Sequence, residues 1–186
     1  MEPTIGSADS TYLWLQRNAW RYDFVLQHRG QDIGTLKATS WSRQEFEGST
    51  REGEWFLRQE GFWRREIVCE EAPARQRVAS FKPNWSISEG KIELADGRTF
   101  DWSTAGFLHP VSQVLDFKGR KVLNIKEGNS FKSKGLKHLF QSGATIVRGD
   151  SPCDTKTFSL LCILTWYLLL CRRDETSSAA TVAAIS

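Results

Sequence analysis

The residues best suited to acid–base chemistry are scattered along this sequence. The three histidines, His28, His109 and His138, occur singly, and none belongs to an HExxH or HxxxH arrangement. No GxSxG elbow is present to supply a serine nucleophile. The glutamates cluster around predicted turns, where solvated surface carboxylates are the ordinary interpretation. We therefore predict no catalytic site, and we keep open the alternative of an enzyme whose site is assembled from distant residues.

The four cysteines do not have the spacing of a metal site. Cys69, Cys153, Cys162 and Cys171 form no CxxC pair, and the last two lie within a predicted helix. Their separation places them on opposite helix faces, because each residue of an α-helix turns the chain by about 100°. We predict free thiols in a protein core, no metal, no cofactor, and a reducing cytoplasmic location.

One stretch of the chain is distinctly basic. From Lys118 to His138, seven Lys or Arg accompany a single acidic residue, Glu127, although the whole chain carries a net charge of only +3. Such a segment can attract anionic lipid headgroups, with about 1 kcal/mol from each cation near the surface. A solvated loop that blocks strand-edge pairing is the alternative, and nucleic acid is a weaker one because the stretch is short. The candidate lipid-binding residues are Lys118, Arg120, Lys121, Lys126, Lys132, Lys134 and Lys137.

The most apolar stretch, Phe158 to Cys171, raises the question of a membrane span or a buried core helix. It has 14 residues without a charge. It would cover about 21 Å, against about 30 Å for the hydrocarbon core of a bilayer. Because the helix is apolar on every side, it must be surrounded by lipid or by protein, and its length favours protein. We predict a core helix at about 155–173, capped by Asp154, with core positions Leu160, Leu161, Ile163, Leu164, Trp166, Leu168 and Leu169.

The rest of the chain contains an internal repeat that could surround this helix. Three segments, Trp20–Lys37, Phe62–Lys82 and Phe107–Lys126, each have the pattern of two strands around a polar turn and end in a lysine. Each is followed by a second predicted hairpin, which is clearest around Asp96-Gly97 and weakest at Gly135–Val147. A period near 45 residues is typical of propeller blades, but three units are fewer than propellers use. We predict about twelve antiparallel strands closed into a barrel around the C-terminal helix.

Several stretches resemble small bacterial members of the tubby C-terminal-like superfamily, which includes the LURP-one-related proteins and the phospholipid scramblases. These stretches are "EGFWRREIVCEE", "VASFKPNWS", "KIELADGRTFDWST" and "LTWYLLLCRRD". The resemblance covers about Tyr12 to Asp174. It implies a twelve-stranded β-barrel threaded by a hydrophobic C-terminal helix, and it implies binding to phosphoinositide-like headgroups.

The expected organisation is a disordered segment (1–11), one barrel domain (12–175) and a disordered tail (176–186). We expect a non-enzymatic binding or scaffold module in the cytoplasm that binds anionic phospholipid headgroups peripherally through the basic segment. The alternative is a membrane-associated protein that is anchored by its C-terminal helix and moves lipids in the manner of a scramblase.

Overall fold

The chain forms a closed antiparallel β-barrel with one long helix. The computed structural model describes residues 10–17, 21–39, 45–61, 66–106, 110–128 and 143–183, with side chains as far as Thr176. The strands are β1 (Thr11–Gln16), β2 (Asp23–His28), β3 (Gln31–Ala38), β4 (Glu45–Thr50), β5 (Gly53–Glu60), β6 (Glu66–Glu71), β7 (Gln76–Pro83), β8 (Glu89–Leu94), β9 (Thr99–Ala105), β10 (Val111–Asp116), β11 (Lys121–Glu127) and β12 (Gly143–Arg148). The helix α1 is Thr155–Ala183.

Each strand pairs with its neighbours in sequence, and β1 pairs with β12 to close the sheet. Closure leaves no strand edge among the twelve, so no row of backbone N–H and C=O groups is exposed for pairing with another chain. The predicted architecture of about twelve strands around a C-terminal helix is confirmed.

The repeat is present, and it is offset from the start of the chain. The units are β2–β5, β6–β9, and β10–β12 completed by β1. A β-bulge occurs at the same place in each unit, between Leu26 and Gln27, between Cys69 and Glu70, and between Val114 and Leu115. The three closing lysines also occupy one shared position, one residue before the ends of β3, β7 and β11.

The offset explains why the last hairpin had the weakest sequence pattern. We predicted that Gly135–Val147 supplies both strands of that hairpin, but within the described residues only β12 comes from this part of the chain. Residues 135–142 lie outside the described residues. The partner strand is β1, which pairs with β12 from Thr11↔Val147 to Leu15↔Gly143. The third unit is therefore assembled from both ends of the domain.

The helix occupies the interior of the barrel. All seven predicted core positions are at most 6% exposed, and Trp166 and Tyr167 have no exposed surface. The indole of Trp166 stacks on Trp14 at 5.9 Å and meets the edge of Phe24 at 5.3 Å. Aromatic pairs of this kind contribute about 0.5–1.5 kcal/mol each beyond burial. Strand side chains thus cover every side of the apolar helix, as its composition requires.

The helix is longer than we predicted. It continues to Ala183, ten residues past Arg173, and so includes most of the segment 176–186 that we expected to be disordered. Its side chains become exposed at Asp174, because the strands end at this level. The predicted boundary near 173 marks where burial ends, whereas the helical backbone extends further.

Polar contacts hold the helix at both ends of the barrel. The tight turns lie at the end of the barrel where α1 begins, and we name this end the turn end. The residues of these turns are 29–30, 51–52, 72–75, 95–98 and 117–120. We name the other end, where the helix leaves the barrel, the exit end. There the carboxylate of Glu127 accepts hydrogen bonds from Arg172 and from Arg173, the latter at 2.7 Å.

The helix packs closely against the barrel wall at Gly48 on β4. A Cβ atom at this position would lie 2.5 Å from Cγ2 of Ile163. The positions equivalent to Gly48 in the other two units hold buried isoleucines, Ile92 and Ile146. The absence of a side chain at Gly48 therefore allows Ile163 of the helix to pack against β4, whereas the equivalent positions of β8 and β12 hold isoleucine side chains.

Gly48→Ala should destabilise the protein by about 1–3 kcal/mol, because a methyl group must displace Ile163 in a close-packed core. Urea unfolding measures the change. The double variant Gly48→Ala/Ile163→Ala should be more stable than the sum of the single effects, since the second change removes the clash. Strict additivity of the two changes would show that the helix does not contact β4.

Candidate functional site

The structure divides the predicted basic segment between the two ends of the barrel. Lys118, Arg120 and Lys121 lie at the turn end, in and beside the β10–β11 turn. Lys126 lies near the other end of β11, five residues further and so about 17 Å away. The remaining candidates, Lys132, Lys134 and Lys137, lie outside the described residues. The described cations thus form one local group of three and one separate lysine.

The β10–β11 turn is held by the carboxylate of Asp116. Its Oδ1 accepts the backbone N–H groups of Lys118 at 2.8 Å and Arg120 at 2.9 Å. Its Oδ2 accepts Nε of Arg120 at 2.9 Å and the hydroxyl of Ser151 at 2.7 Å. Gly119 has a φ of +72°, which only glycine adopts without strain. The turn is thereby fixed in one shape and joined to the segment that leads into the helix.

These contacts also set the ionisation of Asp116. Burial of this 5%-exposed residue disfavours the charged form, but hydrogen bonds from Ser151, Arg120 and Lys118 outweigh it and hold the pKa of Asp116 well below its usual 3.8. The carboxylate is therefore charged at neutral pH, and it offsets the charge of Arg120 in an ion pair. Lys118 and Lys121 make no ion pair within the described part of the chain.

The tip of this turn exposes a large apolar side chain. Phe117 is 76% exposed, and the ammonium of Lys118 lies 5.4 Å from the centre of its ring. The exposure of Phe117 was not predicted from the sequence. The sequence D-F-K-G-R carries a usable signal, since Asp followed three residues later by Gly is typical of a type I turn, whose central residues point outward.

The equivalent turns of the other two units lack this combination. The β2–β3 turn consists of Arg29 and Gly30, with no aromatic residue. In the β6–β7 turn the guanidinium of Arg75 lies 3.2 Å from the centre of the Phe56 ring. Of these three equivalent turns, only the turn of the third unit carries an exposed aromatic side chain next to cations.

A second exposed aromatic residue lies at the exit end of the barrel. Trp85, in the β7–β8 connection, is fully exposed. The connection itself is ordered, because Ile87 is buried and its carbonyl accepts the indole N–H of Trp102 at 2.8 Å. Trp85 lies within the stretch "VASFKPNWS", and its exposure has no signal in the local sequence.

The helix start forms the other polar cluster of the turn end. Asp154 caps α1, as predicted, because its Oδ1 accepts the N–H of Thr157 at 2.9 Å. Arg98, from the β8–β9 turn, donates to Asp154 at 2.9 Å and to the hydroxyl of Thr157 at 2.8 Å. Burial opposes ionisation of Asp154, but the hydrogen bonds from Thr157 and Arg98 prevail and lower its pKa from 3.8 to about 2.

The cysteines are free thiols with little access to solvent. Cys69, Cys162 and Cys171 are buried, while Cys153 is partly exposed. Burial raises the pKa of Cys171 to about 12 and that of Cys153 to about 11. Protonated thiols are poor nucleophiles and poor metal ligands. Among the described residues, no group of three or more His, Cys, Asp or Glu side chains is arranged to hold a metal ion.

No protein-family model, curated protein or solved structure matches this chain. The resemblance to the tubby C-terminal-like superfamily therefore stays a prediction. In the described part of the chain, one helical stretch, Thr155–Thr176, has the length and hydropathy of a membrane span. The protein buries 78% of the most apolar 18-residue part of this stretch.

Stability should depend on Asp154 in acid. A lowered pKa in the folded state contributes stability that is complete above pH 4 and is lost as the pH falls through about 2. Asn is also a good helix cap, so Asp154→Asn keeps the cap and removes the titration. The difference in Tm between wild type and variant should be largest near neutral pH and should shrink between pH 4 and pH 2. A difference that is constant over this range would contradict the assigned hydrogen bonds.

Proposed function

We propose that the protein is a non-enzymatic module that binds anionic phospholipid surfaces peripherally, with the β10–β11 turn as its contact. The observation that carries the proposal is the exposed Phe117 at the tip of a rigid turn, beside Lys118 and Lys121, which make no ion pair with any described residue. Peripheral proteins combine an apolar side chain that enters the headgroup boundary with cations that face anionic lipid.

Phe117 supplies the apolar part of the interaction. Full burial of a phenylalanine side chain contributes about 1.5–3 kcal/mol. Because the turn is already ordered by Asp116, little conformational entropy is lost when the ring enters the membrane boundary. One aromatic side chain gives reversible rather than permanent attachment.

The two lysines supply the preference for anionic lipid. Each contributes about 1 kcal/mol near a negatively charged leaflet, and this contribution weakens with added salt. Arg120 is less effective because its guanidinium is paired with Asp116 at 2.8 Å. The usable part of the predicted basic segment, within the described residues, is thus smaller than its composition suggested.

The alternative of an anchor formed by α1 has less support. To span a bilayer, the helix would have to leave the barrel, and the strand side chains around it, including Trp14 and Phe24, would lose their apolar partner. No contact within the described part of the chain would replace the packing that these side chains lose. Scramblase-like lipid movement through an inserted helix is therefore the less favoured function.

Vesicle flotation tests the proposal, with phosphatidylcholine vesicles prepared with and without phosphatidylserine. The wild-type protein should bind only the anionic vesicles at low salt and should dissociate at high salt. Phe117→Ala should weaken binding about tenfold, and Lys118→Ala and Lys121→Ala should each weaken it about fivefold.

Trp85→Ala is the matched control, since it removes another highly exposed aromatic side chain, from the opposite end of the barrel. It should leave binding unchanged. Loss of binding in Trp85→Ala with no effect of Phe117→Ala would place the membrane contact at the exit end and overturn the proposal. Equal, negligible binding to both kinds of vesicle at low salt would remove lipid binding altogether.

A further inference from the structure

The outer wall of the barrel carries a polar groove across β6, β7 and β8. Its volume is about 390 Å³, and we name it the outer groove, after the five side chains that define it: Glu66, Arg77, Ser80, Lys82 and Glu93. It lies on the outer face of the middle repeat unit, away from the β10–β11 turn. Ligand pockets commonly measure about 300–1,000 Å³, so this groove suits a small molecule.

The floor of the groove is an unusually buried polar side chain. Ser80 points to the outside of the barrel and is nevertheless only 5% exposed, and its cross-strand neighbour Val68 is 2% exposed. A twisted barrel narrows at its middle, so outward side chains at mid-strand lie below those at the strand ends. The hydroxyl of Ser80 makes no hydrogen bond to another described residue, and because its oxygen is not among the fully buried polar atoms that lack a partner, it remains accessible from the groove.

The sides of the groove carry two charges of each sign. Arg77 forms an ion pair with Glu66, and Lys82 forms one with Glu93 at 2.7 Å. The side chains of Arg77 and Lys82 are about half exposed. Exposed pairs of this kind contribute only about 0–1 kcal/mol, so a ligand can open them at small cost.

Neither of the other repeat units has this set of side chains. At the equivalent positions the first unit has Asp23, Asp32, Thr35, Lys37 and Ser49, with two carboxylates but one cation. The third unit has Val111, Lys121, Asn124, Lys126 and Val147, with two cations and no carboxylate. One backbone frame is thus repeated three times, and only the middle copy balances two cations against two carboxylates above a buried hydroxyl.

We propose that the outer groove binds a small zwitterion that carries an ammonium and a carboxylate, such as a free amino acid. An anion would face Glu66 and Glu93, and a cation would face Arg77 and Lys82. A zwitterion offers a carboxylate to one cation and an ammonium to one carboxylate, so it can take the place of both partners when one ion pair opens, and neither charge of that pair is left without a partner. The hydroxyl of Ser80 at the floor of the groove can exchange a hydrogen bond with water for one with the ligand.

The test is an NMR titration of the isotope-labelled full-length protein with glycine and with 4-aminobutyrate. Butyrate and butylamine are the matched probes, since each carries only one of the two charges. At least one zwitterion should cause saturable shifts confined to β6, β7 and β8, and its affinity should exceed that of either single-charge probe at least tenfold. Equal affinities for all four compounds, or shifts elsewhere on the barrel, would overturn the proposal.

Two variants separate a built site from weak surface binding. Ser80→Ala should weaken zwitterion binding about fivefold through loss of one hydrogen bond. Glu93→Gln leaves Lys82 without its carboxylate, so the variant should bind butyrate as well as it binds 4-aminobutyrate. Thr35→Ala, at the position equivalent to Ser80 in the first unit, should have no effect. Unchanged affinity in Ser80→Ala would contradict the proposal, provided that its thermal unfolding matches wild type.

Discussion

The structure depends on the enclosure of one helix that is apolar on every side. From Phe158 to Cys171 most side chains are buried, and only Ser159 keeps intermediate exposure. A helix of this kind has no polar face to give to water, so it requires a wall around its whole circumference. The twelve strands provide that wall, and closing the sheet also removes the strand edges that would otherwise pair with other chains.

The threefold repeat explains how a chain of 186 residues builds such a wall. Each unit consists of four strands with a bulge at one shared position. The fourth strand of the last unit is β1, which pairs with β12. Closure between β1 and β12 joins the two ends of the domain, so the barrel is completed only when both are in place. Repetition sets the backbone, whereas differences among the units create individual features: the glycine at Gly48, the exposed Phe117 and the balanced charges around Ser80.

The sequence predicted the fold well and the surface poorly, for physical reasons. Burial of Leu161 or Trp166 follows from an apolar run too short to span a membrane, and the repeat follows from regularly spaced strand patterns. The role of β1 could not be predicted, because its residues pair with residues about 130 positions away in β12 and no local pattern encodes that pairing. Neither could the division of the basic segment, since the positions of Lys121 and Lys126 at opposite ends of β11 depend on the strand between them. Exposure of Phe117 and burial of Ser80 depend on the shape of the closed barrel.

Hydrogen exchange of the helix amides tests enclosure most directly, with and without anionic vesicles. If the barrel surrounds α1, amides between Leu160 and Cys171 should exchange only through global unfolding, and their opening free energy should equal the unfolding free energy from urea denaturation. That protection should be unchanged when the protein binds vesicles. Helix amides that open at much lower free energy while the strand amides stay protected would show that the helix leaves the barrel, and would contradict the account.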